Sequence, residues 1–191
     1  MGWKSWSRFR SDDADFGLRP ATEPPPIIPS MSLDAPSQNL RRGAGLQFGV
    51  VAARFNEALV DGLLHRAQEA LFAAGVRGQD VLVLRVPGSH EVPWAANELA
   101  ASGAFHCVIA LGVLIGGDTS HHEMVGQSVS QALQTVSIRT RVPVINGVIV
   151  TNTFAQAKAR CVGKINRGAE FGHAALEMAA LRRTLRGTKK S

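Results

Sequence analysis

The chain of 191 residues has two cysteines, no tyrosine and only 6% aromatic residues. Two cysteines are too few for a disulfide framework. Cys107 opens an apolar stretch, where a free thiol behaves as a small hydrophobe, so Cys107 and Cys161 are both read as reduced and structural. No apolar run approaches the roughly 20 residues of a bilayer span; the longest, 107–115, is broken by Gly116, Gly117 and Asp118. A signal-peptide apolar core is missing. Asp12, Asp13 and Asp15 argue against a transit peptide at the Trp- and Arg-containing start, and a cytoplasmic location is expected. Metal-binding spacing is absent too: His121 and His122 are adjacent and have no His-Glu-x-x-His partner, so no metal is expected.

A concentrated charge of one sign is also lacking in the body of the chain, although the formal net charge is +6. Residues 1–40 carry four bases and five acids, and residues 182–191 carry five bases and no acid. The stretch between them holds 12 bases and 10 acids, which places the excess in a solvated basic end. With no aromatic-and-basic platform and no zinc finger, no nucleic-acid partner is expected.

The chain does have a sharp change of texture near residue 41. Residues 1–40 contain Pro20, Pro24, Pro25, Pro26, Pro29 and Pro36 without hydrophobic periodicity, and are expected to form a disordered arm. Residues 41–186 are read as one catalytic domain and 187–191 as a basic tail. In the domain, short runs of Val, Ile and Leu alternate with segments of helical period, the signature of βαβ units. The pattern predicts strands at 47–53, 81–86, 107–115 and 142–150. Helices are expected at 57–74, 92–102, 120–140, 154–161 and 169–185. The fold class is α/β, a three-layer α/β/α sandwich around a four-stranded parallel sheet covered on both faces, of flavodoxin-like type.

Ligands of open parallel sheets bind beyond the carboxyl ends of the strands, so the residues following each predicted strand are the candidates. After the third strand, 116–123 reads as an anion cradle, because paired glycines admit close backbone approach and helix N-terminal N–H groups favour negative charge. Ser120 and Glu123 match a capping box that would hold this turn. The stretch is neither a Walker loop nor a dinucleotide fingerprint. His121 is either a general acid–base beside a bound anion or a solvated first-turn residue. Phe55 offers a face to a planar ring or packs in the core. Glu91 with Ser89 suits a polyhydroxylated chain, or Glu91 is a helix-start charge. Arg160 and Arg167 frame a glycine-containing loop and either grip phosphate or lie on the surface.

Several stretches in the same order resemble the 6,7-dimethyl-8-ribityllumazine synthase family. They are Ala53-Arg54-Phe55-Asn56, Arg85-Val86-Pro87-Gly88-Ser89-His90-Glu91-Val92-Pro93, Gly112-Val113-Leu114-Ile115 with Gly117-Asp118-Thr119-Ser120-His121, and Pro143-Val144-Ile145-Asn146-Gly147-Val148. Ala169-Glu170 and Leu176-Glu177-Met178-Ala179 follow, so the likeness runs from about Leu46 to Leu181. The resemblance implies condensation of 5-amino-6-ribitylamino-uracil with 3,4-dihydroxy-2-butanone 4-phosphate, releasing phosphate and water without a cofactor, in pentamers whose sites lie between subunits. It implies that Phe55 stacks on the pyrimidine, and that Ser89, His90, Glu91, Val113, Leu114 and Ile115 line the uracil and ribityl site. Gly117, Asp118 and Thr119 would hold phosphate, and His121 would transfer protons. Asn146, Arg160, Arg167 and Glu170 would come from the adjacent subunit, with Arg160 as phosphate anchor. The chain departs from the family pattern at His90, Asn146 and Arg167. A flavin- or lumazine-storing protein of the same fold would not need His121 with Arg160. A receiver-type signalling domain would end its third strand in Asp, whereas this one ends in Ile115-Gly116-Gly117.

Overall fold

The structure is a computed structural model that describes residues 43–187, all within the unit running from Gln38 to Ser191. The expected arm at 1–40 lies outside the described residues, as does the expected tail beyond Gly187.

Four parallel strands, β1 (Phe48–Ala53), β2 (Val81–Val86), β3 (Cys107–Ile115) and β4 (Val144–Thr151), form one sheet in the order β2-β1-β3-β4. Five helices accompany them: α1 (Glu57–Ala73), α2 (Val92–Ala101), α3 (His121–Thr140), α4 (Phe154–Cys161) and α5 (Arg167–Gly187). Side chains alternate across the pleat, and this alternation divides the core in two. Phe48, Val50 and Ala52 pack on one face with the apolar stripe of α1 and with Ala175, Leu176 and Ala179 of α5. Val51 and Ala53 pack on the other with Ala95, Ala96 and Leu99 of α2 and Val125, Val129 and Leu133 of α3. These are the three layers expected from the sequence. Fully burying an aliphatic side chain is worth about 1.5–3 kcal/mol, and β1 buries all six of its residues.

Coverage on both faces holds for β1 and most of β3 but not for the edge strands. Leu82 and Arg85 of β2 and Asn146 and Val150 of β4 are exposed, because these two strands form the edges of the sheet. β4 begins two residues later than expected, after Pro143, which lacks the N–H that a ladder needs. α5 begins at Arg167 rather than Ala169, since Asn166 Oδ1 accepts the Ala169 N–H and starts the helix early. Both thiols are free and buried, and burial pushes Cys107 up to about 12 and Cys161 up to about 11, so neither is a nucleophile at neutral pH.

At the amino ends of the strands the loops are tied by hydrogen bonds. The Gln47 N–H donates to His106 Nδ1 at 2.9 Å. Arg182 of α5 donates to the carbonyls of Arg141 (2.8 Å) and Phe105 (3.2 Å). Before β2, Arg77 donates to both Asp80 carboxylate oxygens, which holds that carboxyl below its usual range.

Candidate active site

All four carboxyl ends emerge at one edge, and the chain reverses its direction of travel across the sheet between β1 and β3. Open sheets bind ligands at such a point. A cleft of about 450 Å³ lies there.

The end of β1 shapes its first wall. The N–H groups of Arg54 and Phe55 donate to the Val86 and Pro87 carbonyls, extending the strand pairing. Asn56 then adopts a left-handed conformation, φ 59°, which asparagine tolerates better than most residues. Its side chain does not cap α1; instead Nδ2 donates to Val113 O at 2.9 Å and ties β1 to β3. The turn leaves Phe55 70% exposed beside the cleft, so the core-packing alternative is excluded.

After β2 the Gly88 N–H donates to Glu91 Oε2 at 2.8 Å, which engages one oxygen of the expected ribityl ligand within its own turn. Ser89 is 4% exposed and its Oγ has no partner among the described residues. It fits because Gly112 has no side chain: a Cβ there would sit 2.5 Å from Ser89 Oγ. Val113, Leu114 and Ile115 give the cleft an apolar wall, and Gly117, Thr119, His121 and His122 complete it.

The loop leading into α3 differs from expectation in two ways. Ser120 makes no side-chain cap bond and the exposed Glu123 carboxylate lies 4.0 Å from His122 Nε2, so the capping box does not form. The paired glycines do not both face a ligand. The Gly116 N–H donates to Thr151 O at 2.7 Å, and a Cβ there would lie 2.8 Å from Asn152 O; only Gly117 faces open space. Asp118 is exposed and stands outside the cleft lining. His121, first residue of α3, is exposed at the cleft, where an anion would also feel the positive end of the helix.

The remaining candidates are elsewhere in the chain. Asn146, Arg160 and Arg167 line a smaller cavity of about 240 Å³ with Val148, Val150 and Phe171. Arg167 pairs with Glu170, one helical turn on. Arg160 Nη1 donates only to Gln156 O, 3.1 Å away within α4. Asn146 bonds Ser130 Oγ and the Val148 N–H. The cleft holding His121 contains none of these residues, and the smaller cavity contains none of the first set. Ten expected site residues are thus assembled in one cleft, and Asn146, Arg160, Arg167 and Glu170 form a separate group.

Sequence reasoning missed Asn56, Gly88, His122 and Val125 as lining residues. Asn56 carried a usable signal as the polar residue before a helical run, and Val125 stands one turn beyond His121. In sequence His122 reads only as part of the 116–123 turn and as a rejected metal ligand. Among the described residues, no group of three or more His, Cys, Asp or Glu side chains is placed to hold a metal ion, and no helix is long and apolar enough to cross a membrane.

Residues 45–183 match the family described as 6,7-dimethyl-8-ribityllumazine synthase. A protein of that name from Aquifex aeolicus is 45% identical over 143 residues, covering 74% of this chain and 93% of the relative. One from Thermococcus gammatolerans is 43% identical over 143 residues, covering 75% and 92%. A chloroplastic one from Arabidopsis thaliana is 43% identical over 144 residues, covering 75% of this chain and 63% of the relative.

Proposed function

The chain belongs to the 6,7-dimethyl-8-ribityllumazine synthase family, and from that premise we propose that it is a transferase-type enzyme of riboflavin biosynthesis. It condenses 5-amino-6-ribitylamino-uracil with 3,4-dihydroxy-2-butanone 4-phosphate to form 6,7-dimethyl-8-ribityllumazine, releasing phosphate and water. The observation that carries this reading is the cleft at the β1/β3 reversal, with an exposed phenylalanine and an apolar wall at one end and a helix-start histidine at the other.

Each feature has a task in that chemistry. The Phe55 ring takes the planar pyrimidine, where offset stacking contributes about 0.5–1.5 kcal/mol beyond area burial. Ser89, His90 and Glu91 meet the ribityl hydroxyls, with the buried Ser89 Oγ, unpaired among the described residues, behind them. Val113, Leu114 and Ile115 hold the ring against Phe55. Gly117, Asp118 and Thr119 present the loop and first helical turn to the phosphate. The 5-amino nitrogen bonds to the ketone carbon and a first water leaves with the carbonyl oxygen. The phosphate then departs with its C–O bonding pair. Once it has gone and the neighbouring hydroxyl-bearing carbon has become a carbonyl, the ribityl-bearing nitrogen bonds to it and a second water leaves as the ring closes. His121 receives and returns the protons these steps move.

Among the described residues the cleft is lined by no arginine, whereas Arg160, bonded to a carbonyl of its own helix, and Arg167, paired with Glu170, line the cavity at the β4 edge. This separation supports a site completed by an adjacent subunit. Arg160 would anchor the phosphate, with Asn146, Arg167 and Glu170 around it, in a homo-oligomer built on pentamers. Incubating the purified protein with both substrates should give lumazine absorbance and free phosphate in equal amounts. Absence of both products would overturn the reading, and native mass measurement checks the pentamer.

A further inference from the structure

We infer that His122, through Asn152, is a positioning residue that holds the first turn of α3, and with it His121, against the carboxyl end of β4. Its catalytic consequence rests on the function proposed above.

The first turn of α3 lacks its expected restraint, since Ser120 forms no cap bond and the exposed Glu123 carboxylate lies 4.0 Å from His122 Nε2 instead of reaching back to the cap. Consecutive histidines divide the work there. His121 is exposed in the cleft, whereas the side chain of His122 is only 11% exposed. Its Nε2 lies 3.4 Å from Asn152 Oδ1, and because an amide oxygen only accepts, Nε2 carries the proton. Its Nδ1 is buried without a partner among the described residues. Buried polar atoms left unpaired are rare and call for an explanation; here the ring is oriented by its other nitrogen.

Asn152 is itself fixed. Its N–H donates to Gln156 Oε1 at 3.0 Å, and Gln156 closes a reciprocal cap with Thr153 at the start of α4. Beneath the contact, the Gly116 N–H donates to Thr151 O, and Gly116 has no room for a side chain against Asn152. A continuous series therefore runs from the α4 cap through Asn152 and His122 to the turn that presents His121. The same α4 carries Arg160, whose Nη1 donates to Gln156 O.

The variants that test this are His122→Phe, which keeps a ring without the donor, His122→Gln, which keeps a donor near the Nε2 position, and Asn152→Ala. Misplacing a reacting group by about 1 Å can cost about 10²-fold. Losing one of several supports should lower kcat about 10-fold in His122→Phe and Asn152→Ala, with KM for the pyrimidine within about 2-fold, and the double variant should be no worse than either single one. His122→Gln should recover most of the rate. Additive losses, or an unchanged kcat in His122→Phe, would overturn the inference. Amide hydrogen exchange at 118–124 is read alongside. It should quicken in His122→Phe and be restored in His122→Gln, and unchanged exchange likewise refutes the clamp. Exchange needs no turnover, so a wild-type protein that makes no lumazine would remove the functional reading while leaving the clamp to stand or fall on protection alone.

Discussion

The two ends of the sheet share one backbone ladder and differ in almost everything attached to it. At the amino ends the connecting loops are closed by named bonds: Gln47 to His106, Arg77 to Asp80, and Arg182 to two loop carbonyls. At the carboxyl ends Phe55 stands 70% exposed, Ser89 Oγ and His122 Nδ1 have no partner among the described residues, and His121 faces the open cleft. Strand pairing gives stability to both ends alike. The loops are bonded internally at both ends, but only at the carboxyl ends do they also leave Phe55 and His121 exposed beside a cleft, which is how a rigid scaffold carries a site on its loops.

This division predicts that damage to the two ends is read by different instruments. The largest effect is expected at Arg160, on the proposal that it anchors the phosphate. A charge-assisted bond contributes about 1.5–3 kcal/mol, and a freed phosphate end also misaligns the reacting carbon. Arg160→Ala should therefore lose at least about 100-fold in kcat/KM with little change in melting temperature. His121→Ala should lose less, because solvent protons partly replace an acid–base group when the substrate already carries a reactive amine. Steady-state kinetics at several butanone-phosphate concentrations decide the order. A dead His121→Ala beside an active Arg160→Ala would make proton transfer, not positioning, the main task of this end.

Arg182→Ala should behave in the opposite way. It removes two charge-assisted bonds joining α5 to the loops before β3 and β4, and should cost about 2 kcal/mol in stability, or about 4–8 °C in melting temperature for a domain of this size, while kcat stays within about 2-fold. A large kinetic defect at an unchanged melting temperature would show that the amino ends also serve the reaction.

The smallest effect sharpens the same contrast through pH. Burial, and then Arg182, Arg183 and Arg186, hold the His106 imidazole below its ordinary value of 6.5. The folded state thus prefers the neutral ring, whose Nδ1 accepts the Gln47 N–H. A folded value below the unfolded one means that the stabilisation is complete above pH 6.5 and is lost as pH falls through 6.5 toward the folded value. Melting curves from pH 7.5 to 5 should show this decline. They should flatten in His106→Asn, which keeps an acceptor that does not titrate; an equal slope in both proteins would remove His106 from the acid response.

Much of this was legible in the sequence where one physical cause dominated. Short, nearly continuous apolar runs located the four strands, and helical-period spacing the five α-helices, of the described residues, because burial rewards the whole pattern. Boundaries slipped where a single local bond decided them, as with Asn166 starting α5 early or Pro143 delaying β4. Phe55 remained ambiguous in sequence, since an aromatic after a buried strand suits the core equally well; the left-handed turn at Asn56 settles its direction. The capping box expected at Ser120 and Glu123 does not form, because a motif names residues able to cap without fixing their rotamers, and Ser120 makes no side-chain cap bond. The division of the site into two groups was not readable from residue spacing, because it depends on which edge of the sheet each segment reaches.

The strand order has a further consequence, for the birth of the chain. β1 is fully buried, is paired on both sides and is the first described strand to be synthesised. Its neighbour β3 begins only at Cys107. At ribosomal speeds of about 5–20 residues per second, the intervening 53 residues mean about 3–11 s during which an apolar strand waits for its second partner, β2 having emerged before. The nascent polypeptide therefore passes through an aggregation-exposed interval set by topology, and a chaperone that shields residues 48–53 until β3 emerges would raise the yield of native protein without touching its final stability.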